Sequence, residues 1–175
     1  MNTNVDKVLE LLRRAGFSFE EGRKLVAELM EIGYFDAPAS SKHHLAYPGG
    51  LAEHSINVCE TLCVLTQNTD IEWQHIRSPI IVGLLHDLCK VDAYEKTEDG
   101  YRYDKHCLLN GHGDKSVIIA QQILPLTGEE VCCIRYHMGA YYEQDWNGYD
   151  ASIREFPPVL WTHLADMIAS KLIEK

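Results

Sequence analysis

The chain has 175 residues, a formal net charge of −10, 46% hydrophobic residues and 24% charged residues. These values are typical of a globular protein, and the length predicts one domain, residues 1–175, that buries a core without disulfides. The negative charge disfavours non-specific binding to nucleic acid or to a membrane surface, because both need a basic face. The sequence shows neither an apolar run of membrane-spanning length nor a secretory signal, so we expect a cytoplasmic protein.

The six cysteines lie mostly within apolar helical patterns and form no Cys-x-x-Cys pair. A free cysteine in such a position behaves as a small buried hydrophobe. We therefore expect reduced thiols and no thiolate zinc site.

Residues 1–36 predict two amphipathic helices. Apolar residues recur at helical spacing until Gly16 ends the first pattern, and Ser18 with Glu21 forms a capping box for the second helix. Neither helix carries a chemical motif. We interpret them as a packing layer for the rest of the chain.

The next segments carry the first polar groups of interest. Residues 37–50 contain two prolines and a pair of glycines, which predict a loop. A helix over residues 51–67 follows and holds His54 near its start. The next predicted helix is an apolar run that ends at the pair His86 and Asp87.

The second half of the chain continues the helical pattern. Residues 94–103 predict a small β-hairpin, because aromatic residues flank an Asp-Gly turn. One helix opens after His112, a second has a capping box at its start and ends near His137, and the last carries Asp166. The sequence therefore predicts an all-α, compact helical bundle with at most one small β-hairpin.

Residues 139–157 show no clear periodicity and contain several aromatic residues, among them Tyr141 and Trp146. A loop of this length inside a compact domain is often a lid or a binding loop. Two interpretations stay open: the aromatic rings stack on a planar ligand, or they fold down as a satellite cluster on the core.

Histidines and aspartates stand at helix ends or on apolar faces of several predicted elements. The set is His54, His86, Asp87, His112, His137 and Asp166. Burying such groups without partners is costly, and a metal ion would offset that cost. Each residue alone is also explained as a hydrogen-bonded group, but this explanation weakens for all six together. The mixture of nitrogen and oxygen donors suits Fe, Mn, Zn, Ni or Co.

The order His54, then His86 with Asp87, then Asp166 resembles the signature of the HD-domain superfamily of metal-dependent phosphohydrolases. The resemblance covers residues 43–170, which would form the metal-site core of an HD-domain helical bundle. It implies that one or two divalent ions are bound, of Fe, Mn, Ni, Co or Zn, with Mg as a further candidate.

His112 and His137 match the two additional histidines of the family members that hold two metals. The resemblance implies that Asp87 bridges the two ions, with the other three signature residues on one ion and these two histidines on the other. Lys90 matches a lysine that contacts the phosphoryl group in many members. Asp87 and Lys90 are therefore the candidate catalytic residues.

The sequence departs from the family pattern at three places. Many relatives have a second histidine where this chain has Met138, and cyclic-dinucleotide phosphodiesterases have Gly-Tyr-Pro where Asp150 follows Tyr149 here. Members with three metals have a carboxylate at the position of Gly50. We therefore expect two ions at most.

Three residues are candidate substrate contacts besides Lys90. Exoribonuclease-like and conjugation-protein-like HD domains also carry His-His before Gly-Gly-Leu, so His44, or its neighbour His43, would touch substrate. Loops are normally exposed, and two solvated histidines are the alternative. Tyr141 and Trp146 would stack on a nucleobase.

The predicted activity is hydrolysis of a phosphomonoester or phosphodiester in a nucleotide or a similar small phosphorylated substrate. Two ions sharing Asp87 would activate water for in-line attack on phosphorus, and Lys90 would stabilise the developing charge. Two alternatives remain open. One is a di-iron oxygenase of the HD-like fold, and the other is a non-catalytic signalling module that binds metal or nucleotide.

Overall fold

The computed structural model describes residues 3–107, 109, 111–140 and 144–174. The α-helices in these ranges are α1 (Thr3–Arg14), α2 (Phe19–Glu31), α3 (Gly50–Asn68), α4 (Ser78–Leu85), α5 (Gly113–Ile123), α6 (Gly128–Arg135), α7 (Trp146–Glu155) and α8 (Pro158–Ile168). A 3-10 helix (Leu88–Asp92) follows α4, and a π-helical turn (Ala169–Ile173) follows α8. Every described helix is too short or too polar to span a bilayer.

The strands of the described ranges are β1 (Tyr94–Thr97) and β2 (Gly100–Tyr103), which pair antiparallel as one hairpin. Tyr94 lies opposite Tyr103, and Gly100 takes the positive φ of 129° that the tight turn requires. This mostly helical architecture with one hairpin confirms the predicted fold class.

The predicted helix ends are confirmed in detail. The Ser18 side chain accepts a hydrogen bond from the Glu21 N–H, and the Ser18 N–H donates to the Glu21 carboxylate. Thr127 and Glu130 form the same reciprocal pair at the start of α6. Each capping box provides acceptors for two backbone N–H groups that would otherwise be unpaired at the helix start.

Helices α3 and α4 form the centre of the core. A Cβ atom on Gly83 would lie only 2.8 Å from Cβ of Cys59, so glycine lets α4 lie directly against α3. Helix α8 also packs on α3, α1 packs on both α3 and α4, and α2 packs on α1 and α5, with buried residues such as Leu12 and Leu29. The buried Tyr34 hydroxyl donates to the Leu84 carbonyl at 3.1 Å. The close approach of α3 and α4 brings their polar residues together inside the core.

The interpretation of residues 139–157 as an irregular loop is wrong, because residues 146–155 form α7. The Asp145 side chain caps this helix by accepting from the Gly148 N–H at 2.9 Å. Tyr149 and Ile153, one turn apart, pack against the core. Tyr149 therefore behaves as a packing residue, as in the second of the two interpretations.

Candidate metal centre

All six predicted ligands meet in the interior of the fold. They come from α3, the end of α4, the start of α5, the end of α6 and α8, in the order His54, His86, Asp87, His112, His137 and Asp166. Five of them are buried, and the side chain of His112 is 12% exposed. The structure therefore brings the whole predicted set together.

One group of donor atoms, here called site 1, faces Oδ2 of Asp87. The Nε2 atom of His54 lies 3.3 Å from Nε2 of His86 and 3.2 Å from Oδ1 of Asp166. Asp87 Oδ2 lies 3.4 Å from the first of these nitrogens and 3.5 Å from the second. Donors that share a tetrahedral ion through bonds of about 2.0–2.2 Å lie about 3.3–3.6 Å apart. The spacing of site 1 therefore fits a metal ion.

A second group, here called site 2, faces the other oxygen of the same carboxylate. Asp87 Oδ1 lies 3.5 Å from Nδ1 of His112 and 3.4 Å from Nε2 of His137. Asp87 thus presents one oxygen to each group, which is the geometry of a bridging carboxylate. The donors of His54, His86 and Asp87 in site 1, and those of Asp87, His112 and His137 in site 2, lie close enough to one another to hold an ion, and Asp166 lies beside His54 at the edge of site 1.

The outer ring nitrogens fix which atoms face the centre. Nδ1 of His86 lies 2.9 Å from the carbonyl oxygen of Gly83, and Nδ1 of His137 lies 2.7 Å from that of Ile134. A carbonyl oxygen only accepts, so each Nδ1 carries the proton and each Nε2 presents a lone pair to the centre. The buried Nε2 of His137 has no hydrogen-bond partner among the described residues. A metal cation or a proton can bind to such an inward lone pair.

Glu174, which the sequence pattern did not indicate, orients His54 in the same way. Both of its carboxylate oxygens lie 3.0 Å from His54 Nδ1, and its side chain is only 1% exposed. Asn57 donates a second hydrogen bond to Glu174 at 2.9 Å. A carboxylate in this position fixes the ring of a metal-binding histidine and raises its basicity.

The π-helical turn explains why Glu174 reaches this place. In a regular α-helix seven residues make about two turns, so position 173 would follow Asp166 on the same face. The turn Ala169–Ile173 takes in one more residue and moves position 174 onto that face instead. The sequence alone therefore does not place Glu174 on the face of Asp166, because a spacing of eight residues fits only the wider π-helical turn.

The pKa shifts within the cluster show that its carboxylates favour positively charged neighbours. Burial lowers the pKa of His54, but the three carboxylates around the ring raise it to about 10. Burial also lowers the pKa of His112, whereas its contacts with Asp87 and Cys89 raise it to about 9. Burial works to raise the pKa of Asp166, and the neighbouring His54 nevertheless holds it below its usual range. In the metal-free protein, protons therefore supply the charge that a dication would bring.

Lys90, the predicted phosphate contact, forms a buried ion pair with Asp87. Its Nζ lies 2.5 Å from Asp87 Oδ2, and the residue is 7% exposed. Burial lowers the pKa of Lys90, but the charge of Asp87 outweighs this effect and raises it. The ammonium group therefore stays charged beside site 1.

The candidate substrate contacts occupy different positions. The ring of His44 lies 5.1 Å from that of His54, and its Nε2 is 3.9 Å from a carboxylate oxygen of Glu174. Trp146 is 66% exposed at the start of α7, and Tyr141 lies outside the described residues. His44 thus lies against the metal centre, while contact of these residues with substrate stays a prediction.

Geometry and donor chemistry are what mark these residues as a candidate metal centre. Comparison of the chain with protein-family models, with curated proteins and with solved structures finds no match. Buried histidine and aspartate groups with donors within 4.8 Å of one another can hold a metal ion.

Proposed function

We propose that the chain is a metal-dependent phosphohydrolase that binds two divalent ions, in line with its resemblance to the HD-domain superfamily. The observation that carries the proposal is the position of Asp87, which presents one oxygen to each of two groups of imidazole nitrogens. Two-ion hydrolases need their ions about 3.5–4 Å apart. A single carboxylate with one oxygen on each ion suits this separation.

The six ligands divide between the two ions. The first ion would be held by His54, His86 and Asp166, the second by His112 and His137, and both by Asp87. When bound, the ions supply a hydroxide nucleophile at neutral pH and neutralise charge on the phosphoryl oxygens. Lys90 places a buried positive charge beside Asp87, where it stabilises the charge that develops on the phosphoryl group.

The donor types also narrow the ions and the substrate. Imidazole and carboxylate ligands suit Mn, Fe, Co, Ni or Zn better than Mg. We propose a nucleotide or a similar small phosphate ester as substrate, because the exposed ring of Trp146 offers a surface on which a base can stack. All six cysteines are unpaired, which fits a reducing compartment, and we extend the proposal to the cytoplasm.

The test is a panel of phosphomonoesters, phosphodiesters and nucleotides, each assayed with Mn, Co, Ni, Fe, Zn and Mg. The wild-type protein is compared with His86→Ala and with His75→Ala, an exposed histidine that serves as the matched control. We expect metal-dependent hydrolysis of at least one ester by the wild type and the control, and its loss in His86→Ala. Equal behaviour of all three proteins on every substrate contradicts the proposal.

Two other outcomes identify the alternative functions. A stoichiometric di-iron centre that consumes dioxygen and hydrolyses no ester would indicate an oxygenase of the HD-like fold. Nucleotide or metal binding without any turnover would indicate a signalling module. Metal analysis and an oxygen electrode, run on the same preparations, separate these outcomes from hydrolysis.

A further inference from the structure

Cys89 lies directly beside site 2. Its Sγ atom is 3.3 Å from Nδ1 of His112 and 3.8 Å from Oδ1 of Asp87, and the residue is 3% exposed. Its backbone N–H donates to the Ser116 hydroxyl at 3.0 Å, which ties the 3-10 helix to α5. The backbone of Cys89 is therefore tied to α5, and its sulfur lies next to two donors of the site.

Site 2 is short of a donor compared with site 1. Site 1 has Asp166 beside His54 in addition to the close group His54, His86 and Asp87, whereas site 2 has only Asp87, His112 and His137 from the predicted set. The buried Nε2 of His137, aimed at Asp87 Oδ1 and without a hydrogen-bond partner among the described residues, independently marks this point as a ligand position. A fourth donor here would complete a tetrahedral set.

The distances fit a sulfur ligand. With bonds of about 2.3 Å to sulfur and about 2.0–2.1 Å to nitrogen, a tetrahedral ion separates these two donors by about 3.5 Å. The observed separation of Cys89 Sγ and His112 Nδ1 is 3.3 Å. Sγ of Cys89 and Nδ1 of His112 are therefore spaced as two ligands of one tetrahedral ion would be.

We propose that Cys89 is the fourth protein ligand of site 2 and makes it a thiolate site, an inference that rests on the metal centre of the proposed function. On binding, the Cys89 S–H bond breaks, its proton leaves to solvent, and the sulfur donates an electron pair to the ion without any change of oxidation state. A thiolate selects Zn, Fe or Co over Mg or Mn. Site 1 has only nitrogen and oxygen donors, so the two sites prefer different ions.

The test is a titration of the metal-free protein with Co²⁺, followed by absorption spectroscopy. We expect the wild type to take up two ions and to show a sulfur-to-cobalt charge-transfer band in the near ultraviolet. Cys89→Ala and Cys89→Ser should both lose this band and keep the ion of site 1. Their second ion should bind at least about 10-fold more weakly, because removing a direct ligand lowers metal affinity no less than removing a hydrogen-bond partner of a ligand does.

Cys59→Ala is the matched control, because Cys59 is equally buried and its thiol points to the Ile80 carbonyl. It should keep the band. Visible cobalt bands in the wild type without a charge-transfer band would overturn the role of Cys89 but not the metal centre. A charge-transfer band that persists in Cys89→Ala would have the same meaning. Absence of any cobalt uptake would overturn both proposals. The wild-type spectrum decides the question even where a variant fails to fold.

Discussion

Site 1 and site 2 share Asp87 but are built differently. In site 1 the donor side chains are all buried, and a carboxylate, that of Glu174, stands behind His54. In site 2 the side chain of His112 is partly exposed, and a backbone carbonyl stands behind His137. An ionised carboxylate makes an imidazole a stronger donor than a neutral carbonyl does. From these contacts we predict that site 1 is the tighter, preorganised position and that site 2 is the more accessible one.

The largest effect should follow from Asp87→Asn, because it removes the one group that both sites share. The amide keeps the shape of the side chain but loses its charge, so we expect loss of both ions. The rate of phosphoester hydrolysis should fall by at least about a thousandfold, since several kcal/mol of transition-state stabilisation leave with the ions. Metal content after dialysis and steady-state kinetics measure this.

Asp150→Asn is the control, since Asp150 pairs with Arg154 on the exposed surface of α7. It should keep both ions and full activity. If Asp87→Asn retains one ion at full occupancy, Asp87 serves a single site, and the two sites do not share one carboxylate.

A matched pair of histidines separates the two sites. His86 and His137 are both fully buried, and each directs Nδ1 to the carbonyl of the residue three positions earlier. We expect each alanine variant to bind one ion per chain, with His137→Ala keeping the tighter ion of site 1 and His86→Ala keeping the weaker one. Both remove a buried imidazole and its hydrogen bond to a backbone carbonyl, so their unfolding midpoints should be similar.

Metal stoichiometry by elemental analysis, combined with a chelator competition, distinguishes the two variants. Loss of both ions from both proteins would show that the sites fill only together. Two ions in His137→Ala would remove His137 from the metal centre.

The helices and the positions of the six candidate ligands at helix ends could be predicted because they depend on local sequence. Capping boxes, apolar periodicity and the positions of histidines at helix ends are all properties of short segments. Helix α7 was missed because its contact with the core rests on few residues, such as Tyr149 and Ile153, while Trp146 is exposed. The Asp145 side chain, three residues before Gly148, was the available signal of a helix start.

The features behind the ligands could not be predicted from local sequence. The backbone N–H of Cys89, beside site 2, donates a hydrogen bond to Ser116, which is 27 residues away. Glu174 reaches His54 through a π-helical turn that packs against α3, a helix about 100 residues earlier in the chain. Lys90 pairs with Asp87 in the structure, a contact that the motif alone did not indicate.

The smallest effect should come from Glu174→Gln, which tests whether the carboxylate behind His54 makes site 1 the tighter position. The amide oxygen can still accept the hydrogen bond from Nδ1, but it lacks the charge that makes the imidazole a strong donor. We expect the dissociation constant of the first ion to rise about 10-fold, the lower end of the range for such partners. Competition titrations with a metal indicator measure both constants.

Glu155→Gln, at the far end of α7, is the control for this change and should alter neither constant. The dissociation constant of site 2 should stay within twofold in Glu174→Gln, because Glu174 contacts His54 and not the ligands of the second ion. Equal weakening of both sites would mean that Glu174 acts through the whole fold. No change at either site would mean that the difference between the sites lies in burial alone, and the tight site would then owe its strength to the low exposure of Asp166 and His86.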